Sequence, residues 1–374
     1  MSVRLLFLIN TLRHGGGERD LAMICKHIDQ SRFQPEVWTL LAGGVHEPTI
    51  SAAGINVRCL NRKWSYDPLF ALRAAREIAR SGADLIHCFL PAITVSAALA
   101  KVLWRIEQPV IFTEFTPGRK RTWITPLENW AIRRCTYFTV NSPTSEKDLL
   151  TQGVDPSKVR IIPNGHEIEK FRATAPRDAL RQQLGVGREE KMALYVGRLY
   201  ESKRVCDLID AVASLDTGRL RLKLIVAGDG PERASLVRQV SERGLEDVVR
   251  FLGMRQDVVE LLQATDVFAF PSEAEGLSNA TIEAALAGAS IVACDIGGVR
   301  EVVRHGRDAL LVAPRQPGEL AAAIEQVLAD PAAAQLRAES AKKHAEKAYA
   351  IESVLANYYG WYDEILDARP SNGS

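Results

Sequence analysis

The chain has 374 residues, 47% of them hydrophobic and 25% charged, with a formal net charge of +1. That length suits two domains, each able to bury a core without disulfide staples, and the composition excludes a mainly disordered chain. The charge is uneven: residues 1–165 hold 21 Lys and Arg against 14 Asp and Glu, and the remainder holds 26 against 32. A basic first half followed by an acidic second half suits an anionic surface facing the first domain. Six cysteines stand singly at 25, 59, 88, 135, 206 and 294, with no CxxC pair, which argues against a zinc ribbon and for free thiols in a reducing compartment.

The opening segment MSVRLLFLIN is interrupted by Asn10 and reads as a first strand, not a signal peptide. No run of 18 apolar residues occurs, so a cytoplasmic protein is expected. Short apolar runs follow at 5–9, 36–40, 84–88, 110–113, 137–140 and 159–162. A second series lies at 192–196, 223–227, 249–252, 267–270, 290–293 and 309–312. Between them, segments such as 19–28, 67–80 and 320–328 have helical periodicity. Strands alternating with helices predict two α/β domains of Rossmann-like, doubly wound parallel sheets. The boundary is placed after IIPNG (161–165), giving domains 1–168 and 169–350, and the polar stretch to Glu190 reads as a linker with one short helix. The aromatic segment 351–366 reads as a terminal helix with one apolar face.

The first strand runs into Gly15, Gly16 and Gly17 ahead of a helix. Such a loop lets backbone amides approach a ligand, but it fits a tight turn without a ligand equally well. It is not GxGxxG, so a dinucleotide site is not indicated. In the second half, the strand ending at Val196 leads into Gly197 and Arg198, with Lys203 five residues on. Ligands of open α/β sheets sit beyond the carboxyl ends of strands, and a forked and a point cation there suit a diphosphate. The segment 270–288 ends a strand at Pro271, carries Glu275, Gly276 and Leu277 in a loop, and starts a helix at Ser278 or Asn279, both good N-caps. The helix end adds an anion site, and Glu275 and Glu283 offer acceptors for a sugar's hydroxyls. Phosphate and polyol recognition together predict a nucleotide sugar.

The segments PSEAEGLSNATIEAALAG, YVGRLYESK, IIPNG, FLG with Met254, and GGVREVV resemble retaining glycosyltransferase family 4, of the GT-B fold, over nearly the whole chain. The resemblance implies two Rossmann-like domains, with the C-terminal helix at about 351–370 crossing back to the first. It implies that Arg198 and Lys203 hold the donor diphosphate, Glu283 the ribose and Glu275 the transferred sugar. Asn164 and Gly197 would lie at the donor, and backbone near Met254 and Arg255 at the base. The Gly15–Gly17 loop would meet the diphosphate and acceptor. His87 matches a strand-end histidine of the family, and equally fits a hydrogen-bonded structural residue at a strand end. Where many members carry a histidine after a T-x motif, this chain has Phe115 after Thr113 and Glu114, so Glu114 is the candidate polar group. Transfer with retention, generally without an essential metal or other cofactor, is implied, with UDP favoured over GDP. The leaving diphosphate needs no strong acid, so cations and a helix N-terminus suffice to stabilise it.

Residues 118–134 hold five cations, one anion and two tryptophans. They suit an anionic membrane surface and a lipid-linked or saccharide acceptor, and equally a solvated helix. Nucleic acid is not indicated, since no recognition motif accompanies the charge. Three other readings differ by feature. A nucleotide-sugar epimerase of the same fold would lack the spaced glutamates. A dinucleotide dehydrogenase would need GxGxxG and a later acidic residue. A non-catalytic sensor would differ only in turnover.

Overall fold

The computed structural model describes residues 2–13, 15–61, 68–114, 125–172 and 176–368. The chain forms two compact units, Met1–His166 with Ile351–Ser374, and Glu167–Ala350.

The first unit is built on seven parallel strands, β1 (Val3–Ile9), β2 (Phe33–Thr39), β3 (Asn56–Cys59), β4 (Leu85–Phe89), β5 (Val110–Glu114), β6 (Tyr137–Val140) and β7 (Val159–Ile161), in the order β3-β2-β1-β4-β5-β6-β7. Alternate residues of β1 serve opposite faces, as the pleat requires. Leu5, Phe7 and Ile9 pack in one core with the helices Gly16–His27 and Ile351–Asp367, while Leu6 and Leu8 join a second core with Phe70, Ala74 and Ile93. Both faces are covered, so the central strands read as unbroken apolar runs. The C-terminal helix buries Ile351, Val354, Leu355, Tyr358, Trp361, Tyr362 and Ile365, a helical stripe with spacings of three and four. Its Tyr359 stacks on Phe33, with ring centroids 5.2 Å apart, and accepts the Asp29 amide at 2.7 Å.

The second unit has six parallel strands, β8 (Lys191–Val196), β9 (Leu222–Ala227), β10 (Val249–Gly253), β11 (Val267–Phe270), β12 (Ile291–Cys294) and β13 (Leu310–Val312), in the order β10-β9-β8-β11-β12-β13. The stretch read as a linker belongs to this unit. It forms two short helices, Glu169–Arg172 and Arg177–Gln183, and Phe171, Leu180, Leu184 and Val186 enter the core. Four apolar residues scattered among charges hid that from the composition. The division of the chain falls between 166 and 167.

The strand order reverses direction between β1 and β4 in the first unit and between β8 and β11 in the second. Crevices for ligands open at such switch points, at the carboxyl ends of the strands.

Two buried groups of the first unit pull the pH dependence of stability in opposite directions. Burial holds the His87 imidazole down at about 3, against 6.5 in a free chain. The unfolded chain alone takes up that proton, so this contribution is full above 6.5 and is lost as pH falls toward 3. Burial pushes the Asp20 carboxyl up from 3.8 to about 7, against smaller pulls from the Gly165 amide and the Arg19 guanidinium. Its contribution is full below 3.8 and is lost as pH rises through 7. Each slope approaches about 1.4 kcal/mol per pH unit, so the two offset one another over roughly pH 4.5–6. Asp20→Asn is expected to leave His87 unopposed, so that stability falls with falling pH in that window. His87→Gln is expected to reverse the slope. Denaturant unfolding across the window measures this, and parallel profiles for both variants and the parent chain contradict it.

Candidate functional site

At the carboxyl end of β8 the chain turns through Gly197, whose φ of 158° only glycine adopts readily. The turn after β9 lies directly against it. A Cβ on Gly228 would stand 1.8 Å from the Gly197 carbonyl oxygen, and one on Gly230 would stand 2.4 Å from that of Leu199. Gly228 donates its amide to Gly253 at 2.8 Å and Leu199 to Asp229 at 2.9 Å. Three strand-end loops are therefore laced at backbone contact distance, leaving the side chains of residues 198–203 to project from a fixed platform. The Tyr195 hydroxyl braces it by donating to the Arg198 carbonyl at 3.0 Å.

Arg198 is exposed, its guanidinium 4.8 Å from the centroid of the Tyr200 ring. Lys203 ends a 3₁₀ turn, Glu201–Lys203, and its ammonium donates to Glu275 Oε1. Their side chains are only 16% and 13% exposed, and the ammonium also lies 5.8 Å from the Phe270 ring centroid. The loop after β11 is stitched to this turn. The Ser202 carbonyl accepts the Glu273 amide at 3.1 Å and the Ser272 hydroxyl at 3.3 Å.

The same loop leads into the helix Asn279–Ala287. Ser278 is its N-cap, accepting the Thr281 amide at 3.3 Å, so Asn279 is the first helical residue. Gly288 ends it in the left-handed conformation. Glu283 lies about one turn inside and is half-buried. Gly276 and Leu277 precede the cap, with Leu277 buried. Gly298 secures their position, since a Cβ there would meet the Gly276 carbonyl oxygen at 2.4 Å and the Glu275 Cβ at 2.9 Å. The second unit thus gathers Gly197, Lys203, Glu275, Gly276, Leu277, Ser278 and Asn279 at its switch point. A cation held beside a helix N-terminus can bind a diphosphate. A carboxylate held by that cation can accept hydroxyl protons once an anion replaces it. Met254, after Gly253 in the left-handed region, is exposed. Arg255 beside it grips Asp257, with Nε donating to Oδ1 at 2.7 Å.

In the first unit Gly15 is the N-cap of the helix Gly16–His27, with an extended φ of −175°. Its need for glycine is one of space: a Cβ would stand 2.0 Å from Glu18 Oε2. The Glu18 carboxyl therefore folds over the loop, and burial raises its pKa. Gly16 and Gly17 begin the helix. Asn164 is 5% exposed, after β7.

Of its two expected roles, His87 takes the structural one. It is the third residue of β4, not its end, and it is fully buried. Nδ1 meets the Tyr362 hydroxyl at 2.8 Å and Nε2 the Thr113 hydroxyl at 2.6 Å. With both nitrogens engaged inside the core, it ties the C-terminal helix to the sheet and presents nothing to a ligand. Glu114 ends β5, where its side chain lies outside the described residues, as do Phe115 and residues 118–124.

Sequence reasoning passed over Gly228 and Gly230, and quoted the segments that hold Ser202 and Gly298 without giving either residue a role. The run Gly228-Asp229-Gly230-Pro231 after an apolar strand carried the signal of a tight strand-end turn. Nothing local marked the contacts of Ser202 with the loop at 272–273 or of Gly298 with that at 275–276.

Two family models cover most of the chain. Glycosyltransferase family 4 matches residues 14–170, and glycosyl transferases group 1 matches residues 176–349. The chain is 29% identical to 2-deoxystreptamine glucosyltransferase of Streptomyces kanamyceticus, over 79% of this chain and 77% of that protein. It is 31% identical to glycogen synthase of Mycobacterium tuberculosis, over 60% of this chain and 55% of that one. Among solved structures, HepE of Anabaena in complex with UDP superposes with a TM-score of 0.86 at 26% identity, covering 97% of this chain and all of HepE. The same protein with UDP-glucose gives 0.83 at 25%, covering 96% and 99%.

Proposed function

The chain belongs to glycosyltransferase family 4 and uses a nucleotide-sugar donor, and on that premise we propose that it moves a hexose from a UDP-sugar to an acceptor hydroxyl with retention of configuration. The observation that carries this reading is the Lys203–Glu275 pair beside the N-terminus of the helix Asn279–Ala287. When the donor enters, its diphosphate takes the Lys203 ammonium, and Arg198 is free to swing from Tyr200 to a second phosphate. Glu275, released from Lys203, accepts hydrogen bonds from the sugar's hydroxyls, and Glu283 from the ribose. As the glycosidic bond to phosphate breaks, the negative charge gathering on UDP is met by Lys203, Arg198 and the helix dipole. The acceptor hydroxyl attacks from the leaving-group side and passes its proton to a phosphate oxygen. No side-chain acid and no resident metal is needed in this scheme. The complexes of HepE with UDP and UDP-glucose support the choice of base and of hexose.

The test is a thermal-shift series with UDP-, GDP- and ADP-glucose, followed by NMR of the transferred sugar. The expected result is the largest rise in Tm with UDP-glucose, a ligand that binds only the folded chain, and an α-linked product from the α-linked donor. A larger rise with another base, or a β-linked product, contradicts the proposal.

For the acceptor we favour a lipid-linked saccharide at an anionic membrane surface, as in glycolipid, lipopolysaccharide or exopolysaccharide assembly. Among the described residues no helix is long and apolar enough to cross a membrane. Support comes from exposed Arg133 and Arg134, the latter 4.2 Å from the Trp130 ring centroid. The helix Pro91–Leu103, which packs against the helix Thr125–Ile132, also ends in exposed Val102 and Leu103, with exposed Trp104 as its C-cap. The name of the Streptomyces relative favours a rival, a small soluble acceptor. Flotation separates the two: co-flotation with anionic but not neutral vesicles, weakened by salt, is expected of the first. No flotation at low salt selects the second.

A further inference from the structure

Lys203 is followed by a residue in an unfavourable conformation. Arg204 has φ 51° and ψ 35°, the left-handed region, where a side chain crowds the backbone and glycine fits best. A bidentate ion pair holds it there. Arg204 Nε donates to Asp207 Oδ2 at 3.0 Å and its Nη2 to Oδ1 at 2.6 Å. The two side chains are 21% and 11% exposed. Asp207 stands in the first turn of the helix Val205–Ser214, where its charge also meets the positive end of the dipole. Glu273 adds a weaker attraction to Arg204 from across the loop.

A second left-handed arginine nearby, Arg315 with φ 62°, pairs with Glu273 at 2.7 Å, but its side chain is 64% exposed. Solvent screens that pair, while the Arg204 pair is shielded and doubly bonded. Arg204 therefore locks a turn whose preceding residue is Lys203 and whose Ser202 carbonyl holds the loop of Glu275.

We propose that Arg204 is a positioning residue of the donor site: its grip on Asp207 fixes the turn that aims the Lys203 ammonium at the diphosphate. This rests on Lys203 being a diphosphate ligand. Glycine at 204 would suit the backbone angle and keep the fold, while freeing the turn.

The test is calorimetric titration of UDP into the parent chain, Lys203→Ala, Arg204→Gly and the double variant. Lys203→Ala should weaken UDP binding at least about tenfold, as loss of a charge-assisted contact does. Arg204→Gly should weaken it roughly five- to tenfold with little change in Tm. The double variant should bind no more weakly than Lys203→Ala alone, because Arg204 acts through Lys203. Asp207→Asn, which keeps Arg204 and the side-chain shape, should repeat the loss and stands in if the glycine variant does not fold. Unchanged affinity in Lys203→Ala overturns the donor-site reading and this role with it. A loss in Lys203→Ala, with parent-like binding in Arg204→Gly and Asp207→Asn or with additive losses in the double variant, overturns the positioning role alone.

Discussion

Lys203→Ala is expected to lower kcat by about 10²–10³, the loss that follows removal of one preorganised group facing developing charge. Two effects act together. The cation that meets the leaving diphosphate disappears, and Glu275, only 13% exposed at its side chain, loses its partner. Breaking a buried pair from one side costs about 3–5 kcal/mol where the remaining charge is trapped. Here Glu275 sits on a loop with some access to water, so about 1–2 kcal/mol of stability is a fitting expectation. Lys203→Arg keeps the charge and should recover part of the rate but not all of it, because a planar fork does not reproduce a point charge. Steady-state kinetics with thermal melts checks both parts. A variant with parent-like kcat removes Lys203 from the chemistry.

Gly228→Ala is expected to cost stability and activity together. The added methyl would meet the Gly197 carbonyl oxygen at 1.8 Å while the backbone holds a φ of +148°. Left-handed strain and overpacking each cost about 1–3 kcal/mol, so roughly 2–6 kcal/mol follows if the loops shift to relieve the clash. That shift moves Gly197 and Arg198, so binding of UDP should weaken more than the fraction of unfolded chain explains. Gly244→Ala serves as a control. It has a φ of +63° but nothing within 4 Å of the added atom, so it should cost only the backbone strain. Equal effects of the two substitutions would mean that the close approach at Gly228 carries no consequence for the site.

Much of the fold was legible because parallel strands buried on both faces are continuous apolar words. Leu5–Ile9 and Val267–Phe270 could hardly be read otherwise. The edge strand Asn56–Cys59 was not found, since its residues alternate between exposed and half-buried and only Val57 is plainly apolar. The helix at Gly16 begins three residues before the expected start because two glycines, poor helix formers, open it. At the site, the types of group were legible from Arg198, Lys203, Glu275, Glu283 and the Ser278 cap. Their pairing was not, as Lys203 and Glu275 are 72 residues apart in sequence. The left-handed angle of Arg204 and the clearance at Gly298 are backbone facts without a local signature in the side chains. The structural role of His87 was hidden for a similar reason: Tyr362, which engages it, comes 275 residues later.

The most direct test of the donor site is a crystal structure of this chain with UDP. The diphosphate should lie within hydrogen-bond reach of Lys203 Nζ and at the N-terminus of the helix Asn279–Ala287, with the Lys203–Glu275 pair opened and the ribose against Glu283. UDP bound with Lys203 still on Glu275, or seated away from the carboxyl ends of β8 and β11, would contradict it.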